Sequence, residues 1–214
     1  MNAQASGGSW CSATLTITIG YVSMNLIAHT TLGLHIANVG FYQRYGRRAT
    51  LILAAASLFP DIDSVTFFIS RETYSQYHRV FTHSLAGWVL CGAIMALLTA
   101  HRDLKRWFLI DWGMWALGMM GHTATDIITR WAIPVFYPFF DGRWSLAIVS
   151  WGDGILTGTW LGLAIAAEIF AKHRRTISAG ALVFGCIYLS YRFMVPAPGP
   201  SWLSTLWFGF WMGR

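Results

Sequence analysis

The strongest constraint on this chain is the recurrence of apolar runs about as long as a bilayer is thick. A helix needs about 20 mostly apolar residues to cross the hydrocarbon core. Six runs meet or approach that length, at about 14–39, 49–69, 83–100, 107–130, 149–171 and 177–195. The expected fold is therefore all-α, a polytopic transmembrane bundle of about six spans. The first run carries Asn25, His29, His35 and Asn38, and it would be short for a span if the chain began at Met24.

Composition agrees with a membrane as solvent. Only 11% of residues are charged and mean hydropathy is +0.48, whereas a soluble domain carries about a quarter charged residues. Twelve Trp fit the enrichment of that residue at membrane–water interfaces. The net charge of +6 raises the question of nucleic acid. The Lys and Arg, however, fall in short clusters between apolar runs, which is a topology signal, and no nucleic-acid partner is expected. Cys11, Cys91 and Cys186 are odd in number and form no CxxC pair, so neither a disulfide framework nor a zinc finger is expected.

Residues 1–23 hold no Lys or Arg, which argues against a cleaved signal peptide. They are expected to be an N-terminal extension or the start of the first helix. Residues 24–195 form the membrane-embedded domain. The tail 196–214, with Trp202, Trp207 and Trp211 behind "PAPGP", is expected to be interfacial.

Loop charge sets an orientation, because cytoplasmic loops carry the excess of Lys and Arg. Arg44, Arg47 and Arg48 follow the first span, Arg102, Lys105 and Arg106 the third, and Lys172, Arg174 and Arg175 the fifth. Those loops are assigned to the cytoplasm. The alternate loops, which mix Arg71, Glu72 and Arg79 or Arg130, Asp141 and Arg143, face the other side.

With this orientation, scattered ionisable residues converge on the non-cytoplasmic face: His29, Asp61, Asp63, His78, His83, His122, Asp126 and Asp153. An Asp at a helix centre costs about 2.5–3.5 kcal/mol on insertion scales, so several together imply compensation by one another, by water or by a cation. Imidazole with carboxylate suits Zn²⁺ and similar ions. His122 and Asp126 stand at i and i+4 and share a helix face. Asp61 and Asp63 lie two apart in a Pro-broken stretch and can share an ion. His78 and His83, five apart, can both aim inward only if residues 79–82 turn. Asp153, in "GDG", is equally compatible with ordinary turn chemistry.

Blander roles are expected elsewhere. His35 is expected to be a hydrogen-bonded packing residue, and His101 and His173 to be interfacial. Asp111 is also placed at an interface, Glu168, four residues from Lys172, is expected to form an ion pair with it or to snorkel, and Asp141 is a turn residue.

The series "AHTTLG", "FPDID", "HRVFTHS" and "GHTATDIIT", followed by "YPFFDGRWSL", resembles the YdjM-like family of inner-membrane metal-dependent hydrolases. The likeness runs from about His29 to Asp153. It implies a helical protein integral to the bacterial inner membrane with a divalent-metal site. It also implies a distant similarity to zinc-dependent phospholipase C and P1-type nucleases. By position, His29, Asp61, Asp63, His78, His83, His122 and Asp126 match the family's metal-site residues, and Asp153 matches a later acidic position. Zn²⁺ is the expected ion, in one to three copies, with Mn²⁺ or Mg²⁺ as alternatives.

The expected activity is phosphoester hydrolysis in a membrane lipid or lipid-linked phosphate at the outer leaflet. Asp61, Asp63 and Asp126 are candidate bridging carboxylates. A carboxylate such as Asp61, if not used as a ligand, is a candidate base, and Arg79 and Arg143 are candidate phosphate contacts. Two rival readings use the same residues: a metal-ion or proton transporter, and a non-catalytic protein with a structural metal. A transport path needs polar groups through its full depth. A structural zinc needs only four ligands.

Overall fold

A computed structural model describes residues 26–129, 132–149 and 153–195. The expected extension 1–23 and tail 196–214 lie outside the described residues. Among the described residues the regular structure is all helical. The only β-type pairing there is one antiparallel bridge, Ile133 with Trp144.

Helix α1 covers residues 26–45, with a π-turn at Ala37–Phe41. It ends at Gly46, whose φ of +59° suits a residue without Cβ. Twenty residues rise about 30 Å; the helix runs past the expected end at 39, through Asn38 into the basic "QRYGRR", and residues 14–25 of the expected run lie outside the described residues. The polar residues of that stretch turn inward. His35 Nε2 donates to the Trp160 carbonyl at 3.0 Å, while its Nδ1 and the Asn38 amide meet Ser178 Oγ at 3.2 and 3.1 Å. His35 is thus the hydrogen-bonded packing residue that was expected.

Helix α2, Arg47–Ala56, gives way after Ser57–Leu58 to a 3-10 helix, Phe59–Phe68, with a 41° bend. Pro60 stands in the first turn of the second piece, where its missing N–H leaves no helix bond unmade. The expected span 49–69 is therefore a broken one. Helix α3, Arg71–Tyr77, is capped by Ser70 Oγ, which accepts from Thr73 N at 3.0 Å. A non-helical turn follows, and then α4, Leu85–Thr99, capped by Ser84, and α5, Leu104–Ile127, capped by Asp103. Helix α6, Gly154–Ile169, starts five residues later than the expected 149 because Asp153 caps it. A 3-10 turn, Ala171–His173, leads into α7, Arg174–Met194.

The bundle has two cores joined through α1. Ala49, Ile52, Leu53 and Ala56 of α2 pack with Met114, Trp115 and Met119 of α5 and with Ala96 of α4. Leu32 of α1 packs with Leu156 and Trp160 of α6 and Ala181 of α7. Close approach depends on two glycines. A Cβ on Gly118 would lie 2.4 Å from Ala56 Cβ, and one on Gly33 would lie 2.5 Å from the Leu53 carbonyl oxygen. Small residues at such crossings let membrane helices touch backbone to backbone. Here they hold the α2 terminus between α1 and α5.

Tryptophan is not confined to an interface. Trp115 and Trp160 are buried. Trp112 Nε1 and Trp160 Nε1 donate to the carbonyls of Val89 and Ala181, each at 3.0 Å, tying neighbouring helices together. Two other expectations need correction. Asp111 is fully buried and paired with Arg48, which also donates to the Thr99 carbonyl at 2.9 Å, so it is an internal ion pair and not an interfacial acid. Glu168 pairs with Arg174 at 2.7 Å, not with Lys172, because the helix breaks at Phe170 and the i+4 relation is lost.

Ala171–Met194 is long and apolar enough to cross a membrane, and the bent pair Arg47–Ala56 with Phe59–Phe68 passes the same test jointly. Helices α4 and α6 are apolar but only 15 and 16 residues long. The described residues therefore hold one or two clear spans, short of the six expected. Caps at Ser84 and Asp153 shorten two of the apolar runs, and the bend after Ser57 divides a third.

Candidate metal centre

Three overlapping groups of donors meet at one end of the bundle: His29, His122 and Asp126; Asp61, His83 and His122; and Asp61, Asp63 and His78. Seven of the eight residues expected to bind metal are therefore gathered, with His122 and Asp61 each shared by two groups. They come from α1 (His29), the 3-10 helix (Asp61, Asp63), the turn after α3 (His78, His83) and α5 (His122, Asp126). The turn required between the two histidines is present, and Arg79 within it adopts φ +62°, an uncommon left-handed conformation for an arginine.

The hydrogen bonds assign each imidazole its tautomer. His122 Nδ1 lies 2.7 Å from the Ser57 carbonyl oxygen, which can only accept, so Nδ1 carries the proton. Thr125 Oγ1 gives its own proton to the His122 carbonyl at 2.7 Å and accepts from His29 Nδ1 at 2.9 Å. Thr82 Oγ1 donates to Asp63 Oδ2 at 2.7 Å and accepts from His83 Nδ1 at 3.0 Å. His78 Nδ1 donates to Asp63 Oδ1 at 2.6 Å. All four rings thus have Nδ1–H engaged, which leaves the Nε2 lone pairs available, the arrangement that metal-binding histidines use.

Three of those lone pairs, on His29, His83 and His122, are crowded together. His83 Nε2 and His122 Nε2 are 3.1 Å apart. Both lie near Asp126 Oδ2, at 3.5 and 3.7 Å, and near Asp61 Oδ1, at 3.8 and 3.6 Å. His29 Nε2 is buried without a hydrogen bond, 3.5 Å from Asp126 Oδ1, and its ring stacks on that of His122 at 3.7 Å. Two facing nitrogen lone pairs repel unless a proton or cation lies between them. The nitrogen-rich donor set with carboxylates fits Zn²⁺ better than Mg²⁺, which prefers oxygen.

Asp63 has a distinct place. Its oxygens accept from His78 Nδ1, from Thr82 Oγ1 and from Arg79 N at 2.9 Å. One carboxylate therefore organises the whole turn 78–83 as well as belonging to a donor group. Arg79 is buried, with Nε 3.0 Å from Asp126 Oδ2. The cluster holds three carboxylates against this one guanidinium, an excess of two negative charges when the imidazoles are neutral.

The other candidates lie elsewhere. Asp153 is the N-cap of α6, accepting from Ile155 N and Leu156 N at 3.1 and 3.0 Å, and both its oxygens accept from Tyr188 Oη at 3.0 and 2.9 Å. It belongs to none of the donor groups, although it lines a cavity of about 30 Å³ together with His29 and Asp126. Arg143 is exposed and reaches the Ala132 carbonyl at 3.5 Å. Sequence reasoning passed over Thr82, Thr125, Tyr74 and the Ser57 carbonyl. The two threonines sit beside ligands in "FTHS" and "HTAT", a usable signal. Tyr74 stacks on His78 at 4.4 Å, one helical turn before it. A backbone carbonyl leaves no trace in residue type.

A helical membrane-type bundle with a buried histidine–aspartate centre is the class that this fold and site define. The chain belongs to the YdjM inner membrane protein family, whose family model matches residues 24–198. No curated protein and no solved structure matches the chain.

Proposed function

We propose that this protein is a membrane-embedded metal-dependent hydrolase acting on a phosphoester bond of a lipid or lipid-linked phosphate. The observation that carries the proposal is the convergence of the His29, His83 and His122 Nε2 atoms on Asp61 and Asp126, with every Nδ1 proton directed away. A bound divalent cation supplies Lewis acidity towards a phosphoryl oxygen and acidifies water.

The chain's own groups have separable roles. His29, His83, His122 and Asp126 hold an ion in the buried part of the centre. Asp61, shared between two groups and less buried, is the candidate bridging carboxylate or base. Arg79, already beside Asp126, is the cation that receives phosphoryl oxygens, and a guanidinium fork suits them. The charge balance supports an anionic substrate. Two divalent ions would turn the excess of two negative charges into two positive ones, whereas one ion would only neutralise it.

Six membrane crossings, counting bent and short helices, with the centre facing the periplasm, complete this reading. The grouping of basic residues supports the orientation. Arg48 stacks on Trp107 and Arg174 on Tyr42, so the three basic loops meet at the end of the bundle opposite the centre.

Along α5 the distribution of polar groups favours hydrolysis over transport. On α5, buried Met114, Trp115, Gly118 and Met119 separate His122 from Asp111, and Arg48 closes off Asp111. Apolar packing of that kind is a barrier, not a path. Seven donors also exceed the four of a structural zinc.

The deciding experiment is metal analysis of the purified full chain, wild type against His122→Ala, followed by hydrolysis of lipid extracts with and without chelator. Stoichiometric metal lost in the variant and chelator-sensitive turnover support the proposal. A metal-free wild type, or turnover indifferent to chelator, overturns it.

A further inference from the structure

The small cavity of about 30 Å³ lies between the candidate centre and the start of α6. His29 of α1 and Asp126 of α5 line it, together with Asp153, Thr157 and Trp160 of α6. No other member of the three donor groups belongs to it, so it reaches the cluster away from Asp61, Asp63 and His78.

The lining is polar, and part of its hydrogen-bonding capacity is unused. Thr125 Oγ1 and Thr129 Oγ1 donate to the carbonyls of His122 and Asp126, each at 2.7 Å. Thr157 is buried as well, yet its hydroxyl meets no hydrogen-bonding partner among the described residues. Asp153 Oδ1 accepts from two amides and from Tyr188 Oη, whereas Oδ2 accepts from Tyr188 Oη alone and keeps a lone pair. His29 Nε2 is buried without a hydrogen bond. Cavities that stay dry are lined by apolar groups. A water needs about 10–15 Å³ of such space and two to four polar partners, so this cavity has room for about two molecules and the groups to hold them.

We propose that this cavity is a water site, held by Thr157 and Asp153 at one end and by His29 and Asp126 at the other, and that it supplies water to the centre from the α6 side. The presence of water does not rest on the hydrolase reading, but the supply does. Each phosphoester cleaved consumes one water. Its oxygen joins phosphorus as the bond to the lipid oxygen breaks, one proton passes to that leaving oxygen, and the other stays on the new phosphate or is released as it ionises. Asp61, Asp63 and His78 are the less buried donors, so a lipid headgroup approaching there closes that side to solvent. Replacement water then has to come by another way, and the cavity beside α6 is one.

The test is X-ray hydroxyl-radical labelling of the full chain in nanodiscs of phosphatidylethanolamine and phosphatidylglycerol, read residue by residue by mass spectrometry. The radicals arise from water where it stands, so a buried side chain is oxidised only when water lies beside it. Trp160 and Trp115 are a matched pair, with exposures of 4% and 3%, but Trp160 lines the cavity and Trp115 belongs to the α2–α5 core. Trp160 should be oxidised faster than Trp115. Thr157→Val keeps the shape of the side chain and removes its hydroxyl. It should lower the Trp160 rate by about fivefold, the worth of one hydrogen bond, with metal content unchanged. Equal rates at the two tryptophans, or a Trp160 rate indifferent to Thr157→Val, overturn the water site. Hydrolysis of lipid extracts should slow in Thr157→Val by a similar factor, and a dried cavity with unchanged turnover overturns the supply. Fast Trp160 labelling in a protein whose turnover ignores chelator overturns the hydrolase reading, and the supply with it, but leaves the water site standing. Chelator-sensitive turnover with equal labelling overturns the water site alone.

Discussion

His83 and His122 present their Nε2 atoms to each other at 3.1 Å, and each has its Nδ1 proton committed to an oxygen on the far side of its ring. The two residues are 39 positions apart, on a turn and on a long helix. Their facing lone pairs are stable together only with a positive species between them or shared by both.

The first prediction concerns that positive species. Purified wild-type protein should retain stoichiometric divalent metal, chiefly zinc. His83→Ala and His122→Ala should each retain little, as read by plasma mass spectrometry on protein exchanged into metal-free buffer. Far-ultraviolet circular dichroism should remain helical in both variants, since the two cores lie outside the centre.

Thr125→Val offers a finer test. It removes the acceptor of the His29 Nδ1 proton and keeps the side chain's volume. Loss of an outer partner of this type costs about 10- to 100-fold in metal affinity. Competition with a chromophoric chelator should show weakened binding in this variant, short of the outright loss caused by removing a histidine.

Asp153 separates a capping role from a ligand role. Asp153→Ala should lower stability by about 0.5–2 kcal/mol, the usual cost of losing an N-cap, with a further loss from the unpaired Tyr188 hydroxyl. Asp153→Asn should recover much of the capping term. Metal content should match wild type in both variants, and a metal-free Asp153→Asn protein would return this residue to the ligand set.

Gly118→Ala should destabilise the bundle although alanine favours helix. The added Cβ would meet Ala56 Cβ at 2.4 Å, and overpacking of this kind costs about 1–3 kcal/mol. A lowered unfolding midpoint in detergent is expected. Metal affinity should fall with it, because the same crossing sets the Ser57 carbonyl against His122.

At the other end of α5, Asp111→Asn should destabilise by leaving the Arg48 charge uncompensated, and Arg48→Met combined with Asp111→Leu should restore part of the loss. Fifteen residues of helix, about 22 Å, separate Asp111 from Asp126. The metal content of all these variants should therefore be unchanged, which a parallel metal assay would check.

What the sequence determined by itself was the helical class, the position of most helices and the identity of the clustered donors. These follow from local properties. Apolar run length sets where helices form, and the cost of burying charge makes His29, Asp61, Asp63, His78, His83, His122 and Asp126 stand out against their surroundings. The i, i+4 spacing of His122 and Asp126 was sufficient to place both on one face, and the five-residue spacing of His78 and His83 demanded the turn that Arg79 makes. Tertiary structure decided matters that depend on partners distant in the chain. Asp153 resembles a ligand in sequence; it caps α6 through Ile155 N and Leu156 N, and only the fold brings Tyr188, on another helix, to donate to its oxygens. Asp111 resembles an interfacial acid and is buried because Arg48 reaches it from α2. The tautomers of His29, His83 and His122 depend on Thr125, Thr82 and the Ser57 carbonyl, and the last is a backbone atom brought into range by the close crossing at Gly118. Hydrophobic periodicity carries no information about such pairings, because a hydrogen bond or ion pair is a property of two positions and the geometry between them.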